Sequence, residues 1–128
     1  MADMTTHLKN ELYDHVLRNA AYASPAAVYV ALFTTATGDG GTGTEVSGGG
    51  YARQAVTFGE PTDGVGDNTG AITFGPATEA WGTVTHCALY DAETGGNMLM
   101  HDALAAQKAI GDTDEFEFAD GELDAAFA

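Results

Sequence analysis

Near the start of the chain, apolar side chains recur every fourth residue. Leu8, Leu12, Val16 and Ala20 form one stripe at helical spacing, which predicts a helix over about residues 6–21. Thr5 or Thr6 supplies the N-terminal cap. Asp14 precedes Arg18 by four residues, the favourable order for a helical ion pair. Ser24-Pro25 closes the segment, because proline biases its predecessor away from helix. From Val28 the period changes to two. Val28 to Thr34 (VYVALFT) is apolar on both faces and predicts a central strand. Tyr51 to Phe58, Ala71 to Phe74, Trp81 to Asp91 and Met98 to Leu104 follow as further strands, the last after a turn at Thr94 to Asn97. Glu115 to Ala119 and Glu122 to Phe127 alternate strictly, which points Phe116, Phe118, Leu123 and Phe127 inward. Asp120-Gly121 between them reads as a two-residue hairpin turn.

Seven or eight short strands at this spacing predict a mainly β fold. The expected architecture is an antiparallel β-sandwich, jelly-roll or immunoglobulin-like, over about residues 27–128, with one N-terminal α-helix packed on the sheet or on a neighbour. A chain of 128 residues has room for one domain, residues 1–128, and one thin core. The segment Thr37 to Gly50 (TGDGGTGTEVSGGG) is expected to be mobile unless a partner covers it.

Charge changes this picture most. Nineteen acids face four bases (Lys9, Arg18, Arg53 and Lys108), so the formal net charge is −15. Nucleic acid is excluded as a partner, since phosphate contacts need clustered Lys and Arg. An anionic membrane surface is excluded on the same ground. Leu, Ile, Val and Phe together make up 23 of 128 residues, a composition that on its own points to disorder. The clear periodicity argues against disorder, and adaptation to concentrated salt is the preferred reading of the charge. At about 1 M salt the screening length is only about 3 Å, so dense surface carboxylates hydrate a protein without unfolding it. No apolar run approaches the roughly 20 residues of a bilayer helix. Met1 to Asn10 shows no basic start followed by an apolar stretch, so no secretory signal is expected.

Candidate chemistry is sparse. Gly38 to Gly43 matches G-x-G-x-x-G literally, but a dinucleotide site needs a helix opening at the third glycine, and here glycine and another strand follow. His15 is expected to make a surface contact with Glu11 on the helix. His86 and His101 lie on predicted neighbouring strands and are placed to face each other, while Cys87 and Asp102 beside them point to the opposite face. That leaves hydrogen-bonded strand histidines as the preferred reading over zinc. Ser24 and Ser47 sit in no nucleophile elbow. Cys87, flanked by apolar residues, reads as an inert buried thiol. Asp112, Asp114, Glu115 and Glu117 are weak candidates for a cation, and the loop Asp63 to Asn68 (DGVGDN) is a second. Neither fits the calcium-loop pattern, and a solvated acidic face is preferred. No catalytic residue, metal or cofactor is expected. Candidate interface residues are Leu8, Leu12 and Val16 of the helix stripe, with Tyr51 and Trp81.

Three phrases carry a resemblance: VLRNAAYASPAAVYVALFTT (residues 16–35), EVSGGGYARQAVTFGEPTDG (45–64) and WGTVTHCALYDAETGGNMLMHDAL (81–104). In this order, and over about residues 8–118, the chain resembles a family of small virion proteins of tailed phages and prophages, usually labelled tail-fibre or minor structural proteins. The resemblance implies a non-enzymatic virion component, assembled in the host cytoplasm, present in several copies and contacting capsid, portal or tail proteins. A head-decoration or vertex-turret subunit and a tail or fibre-base subunit both fit, as a homo-oligomer matching the particle's symmetry. Together with the acidic bias, it resembles a member from a haloarchaeal tailed virus. The chain departs from the family at its end, where Glu122 to Ala128 (ELDAAFA) replaces a Thr/Val-rich strand and is expected to form a charged edge. The alternative is a glycan-binding module on the virion, for which Tyr51, Trp81 and Tyr90 would supply an aromatic patch.

Overall fold

The computed structural model describes residues 2–127. Chain order is β1 (Asp3–Met4), α1 (Thr6–Leu17), β2 (Val28–Phe33), β3 (Gln54–Val56), β4 (Val65–Asp67), β5 (Ile72–Phe74), β6 (Gly82–Tyr90), β7 (Met98–Ile110), β8 (Phe116–Phe118) and β9 (Asp124–Ala126). A five-stranded sheet has the order β1-β7-β6-β2-β3, and all its pairings are antiparallel. Two short antiparallel ribbons, β4-β9 and β5-β8, complete the structure. The fold is mainly β, a sandwich-like arrangement with an N-terminal helix.

The alternation of β2 explains the layering. Val30 and Leu32 point to one face of the sheet, where they meet Leu89, Met100, Phe74, Phe116, Phe118 and Leu123 in the main core. Ala31 and Phe33 point to the other face and form a second cluster with Ala88, Tyr90 and Met98. The glycine-rich segment closes over this second face. At Gly43 (φ +121°) a side-chain β-carbon would stand 3.0 Å from both the Phe33 ring and the Ala36 carbonyl oxygen. Glycine is required there because the backbone lies directly on the ring.

The helix stops earlier than the apolar stripe predicts, at Leu17 rather than residue 21. Asn19 turns left-handed (φ 56°), and the Arg18 and Ala20 amides both donate to Asp14 O. Asparagine tolerates that conformation, so the local cap overrides the weak contribution of Ala20 to the stripe. Thr5 is the N-cap, with its hydroxyl 3.3 Å from the Leu8 amide. The Asp14–Arg18 pair forms at 3.0 Å on the exposed surface. His15 does not engage Glu11 as expected. Its Nδ1 lies 3.0 Å from the Ala20 carbonyl, beyond the helix end.

Strand β2 is central, between β6 and β3, as its two apolar faces predict. Two strands are unforeseen, β1 and β4, each too short to show alternation. β7 runs on to Ile110 instead of ending at Leu104. The Asp120-Gly121 hairpin does not form. A tight turn is present, with the Glu122 amide donating to Ala119 O at 3.0 Å, but β8 pairs with β5 and β9 with β4. The final strand is therefore partnered by β4 and touched at Ala125 by Ala2. Phe127 does not point inward as its alternation predicts; it is half-exposed. Asn68 fastens this corner from the inside. Its side-chain amide donates to Gly70 O and Ala119 O, and its Oδ1 accepts from the Leu123 amide.

Candidate interaction surface

The strongest polar arrangement is internal. Arg53 lies just ahead of β3, and Glu45 lies in the glycine-rich segment, where it bridges to Phe33. The Arg53 fork donates from Nε to Glu45 Oε2 at 2.9 Å and from Nη2 to Oε1 at 2.8 Å. Nη1 donates to the carbonyls of Ala92 and Gly95 in the β6–β7 turn. The guanidinium sits 3.7 Å from the centroid of the Tyr90 ring. Tyr51 completes the set: its hydroxyl donates to Glu45 Oε2 at 2.7 Å and accepts from the buried Leu32 amide at 2.9 Å. The Glu45 hydrogen bonds raise the Arg53 pKa despite burial. Burial, and then the hydrogen bond to Glu45, push the Tyr51 phenol well above its usual range. With its donors engaged on neighbours, this network acts as a clamp joining loop, sheet and turn.

Tyr51 of the clamp and the separate buried thiol of Cys87 give the fold a pH signature. Tyr51 and Cys87 both hold their protons more tightly folded than unfolded; burial pushes the Cys87 thiol up to about 12. Groups with raised folded pKa values contribute stability that is intact below the unfolded values. That stability drains away as pH climbs through about 9–10 and beyond. Urea midpoints are therefore expected to fall steadily above pH 9. Tyr51→Phe should flatten that fall while lowering stability at pH 7 by about 1–3 kcal/mol, because the Leu32 amide loses its acceptor. A midpoint independent of pH up to 11 contradicts the assignment.

The glycine motif holds its own anion. The Thr6 amide donates to Asp39 Oδ1 at 2.7 Å and the Thr6 hydroxyl to Oδ2, so Asp39 sits at the start of α1. These hydrogen bonds hold the Asp39 carboxyl below its ordinary pKa. β3, and not a helix, follows the segment. The segment expected to be mobile is instead tied down by Asp39, by Glu45, and by Gly49, whose carbonyl accepts from Trp81 Nε1 at 3.0 Å.

His86 and His101 are not cross-strand partners. The register pairs His86 with Ala103 and Ala88 with His101, which leaves the two histidines diagonal to each other on one face of the hairpin. His86 contacts Thr85, and His101 contacts Thr37, each through Nδ1. Cys87 is paired opposite Asp102 and is buried. Among the described residues no three His, Cys, Asp or Glu side chains converge. Asp112, Asp114, Glu115 and Glu117 are exposed. Asp114 accepts from the Gly111 amide, and Glu117 from the Thr73 hydroxyl. In the loop Asp63 to Asn68, Asn68 is turned inward as described above.

The five interface candidates separate. Leu8 and Trp81 are buried, Leu12 and Tyr51 pack partly against the core, and Val16 is 71% exposed. Tyr90 is buried as well, so Tyr51, Trp81 and Tyr90 form no exposed aromatic patch. Pattern reading missed two surfaces. The first is an apolar groove of about 420 Å³, bounded by Leu8, Pro25, Val28, Phe58, Ala125 and Phe127. None of the described residues lining it is charged. The second is the far end of α1, where Tyr13 and Leu17 join Val16 with 58% and 68% exposure. Leu17 breaks the four-residue stripe, which is why the stripe alone did not reveal this patch.

Comparison with curated proteins finds no match. Comparison with protein families matches residues 3–126 to podophage GP4 fiber I protein gp80. That span takes in every element described, from β1 to β9, and the chain therefore belongs to the podophage GP4 fiber I protein gp80 family.

Proposed function

We propose that the chain is a non-enzymatic structural subunit of a tailed-virus particle, present in several copies in its tail fibre or fibre base. The family match over residues 3–126 carries this reading. It favours the tail over a head-decoration or vertex-turret position. The polar groups with the most elaborate partners, Arg53, Glu45, Tyr51 and Asn68, are spent on holding loops to the sheet. A rigid, acid-coated block is what a repeated building unit requires. The acidic surface suits a particle that works in concentrated salt, where like charges are screened within about 3 Å. The partners are other copies of the chain and neighbouring tail proteins.

The test is gold-labelled antibody against the chain, imaged on purified particles of the virus that encodes it. Label at the tail in several copies per particle is expected. Infectious particles free of the chain would refute the structural role, and label on the capsid would refute the tail placement.

A further inference from the structure

We infer that copies of this chain join head to tail, the exposed end of α1 on one copy seating in the apolar groove of the next. The inference rests on the multi-copy reading above and names the surfaces that make the contact. Tyr13, Val16 and Leu17 are spaced i, i+3 and i+4, so they form one patch on the helix. All three are more than half exposed, while Leu8, one end of the same helix, is buried at the groove wall. The rise of a helix puts Leu17 about 13 Å from Leu8, so the patch cannot fill its own groove.

Charge selects the occupant. Residues 6–18 carry Lys9 and Arg18 against Glu11 and Asp14, a net charge of zero, so the rest of the chain carries the whole −15. A second copy approaching through most of its surface meets dense carboxylates. Approaching through α1, it presents a neutral apolar patch to a groove whose described lining residues are uncharged. Helix-to-helix pairing would cover the patch and leave the groove open. The heterologous contact covers both, and repeated contacts of this kind close into a ring or extend into a filament.

The full-length chain is examined by sedimentation velocity over a range of concentrations in about 1 M salt, where charge repulsion is screened. The wild type should form a species larger than a dimer. Leu17→Asp spoils the patch and Phe127→Asp spoils the groove mouth; both sites are exposed enough for the fold to persist, checked by circular dichroism, with Val16→Asp as a second patch variant. Each variant alone should be monomeric. Mixed together, Leu17→Asp and Phe127→Asp chains retain one intact groove and one intact patch, and should form a one-to-one dimer. A monomeric wild type, a Phe127→Asp chain that still associates, or a mixture that stays monomeric would overturn the inference. A wild-type monomer that binds another tail protein through the groove overturns it too. If the chain labels the tail of particles yet stays monomeric here, the fibre reading stands and the self-docking falls.

Discussion

Arg53→Ala is expected to lower the unfolding free energy by about 3 kcal/mol in urea titrations at neutral pH. The substitution leaves Glu45 without its bidentate partner in a site only a quarter exposed. Breaking a fully buried pair costs about 3–5 kcal/mol, and the partial exposure of Glu45 places this one at the lower end. The Ala92 and Gly95 carbonyls lose their donor, and Tyr90 loses the cation over its face. Arg53→Lys keeps the charge but not the planar fork, so it should lose about 2 kcal/mol. Pairing Arg53→Met with Glu45→Gln removes both charges and should recover part of the loss, since the uncompensated charge is then gone. A loss below about 1 kcal/mol for Arg53→Ala would mean that the pair behaves as an ordinary surface salt bridge.

That pair shows where the sequence is legible and where it is not. Arg53 reads as a charge on a strand face, and Glu45 as one acid among nineteen. Their meeting depends on the glycine-rich segment folding back over the sheet, which no local pattern encodes. Strand existence is readable where a long run is rich in strand-forming side chains, as in β2 and β6. The pattern ends β7 short because residues 105–109 (AAQKA) lack strand-forming side chains, and pairing of Ile110 and Ala109 with Gly82 and Thr83 overrides that weak propensity. The Asp120-Gly121 signal correctly marked a turn, yet the two strands it joins part company. Their partners are set by where Phe116, Phe118 and Leu123 find burial, a non-local matter. Tyr51 and Trp81 looked like interface residues because large aromatics beside a loop often are. Trp81 lies inside because the Gly49 backbone (φ +60°) closes on it, where a β-carbon would stand 2.8 Å from Nε1, and Tyr51 is half-buried against the Trp81 ring.

Phe74→Ala is expected to have the largest effect, about 4 kcal/mol, read by the same urea titration. Phe74 is fully buried. Its ring stacks on Tyr51 at 6.1 Å and meets the edge of Phe116 at 6.1 Å, and Phe116 in turn contacts Phe118 at 5.0 Å. Truncation removes the ring's transfer free energy and leaves a cavity, together about 3–5 kcal/mol for a buried Phe. Against a typical domain stability of about 5–15 kcal/mol, that can leave the fold marginal. Phe74→Leu retains most of the volume and should lose far less. The loss should also be uneven. The β5-β8 ribbon has only three residues on each strand, and two-stranded ribbons are not stable alone. The aromatic chain through Phe74 ties the ribbon to Tyr51, whose hydroxyl accepts from the Leu32 amide of β2. Amide exchange at residues 72–74 and 116–118 should therefore accelerate beyond the global change, while β2 and β6 follow the global change alone. Uniform acceleration across all strands would show that Phe74 supports the whole core equally and that the ribbon is held elsewhere.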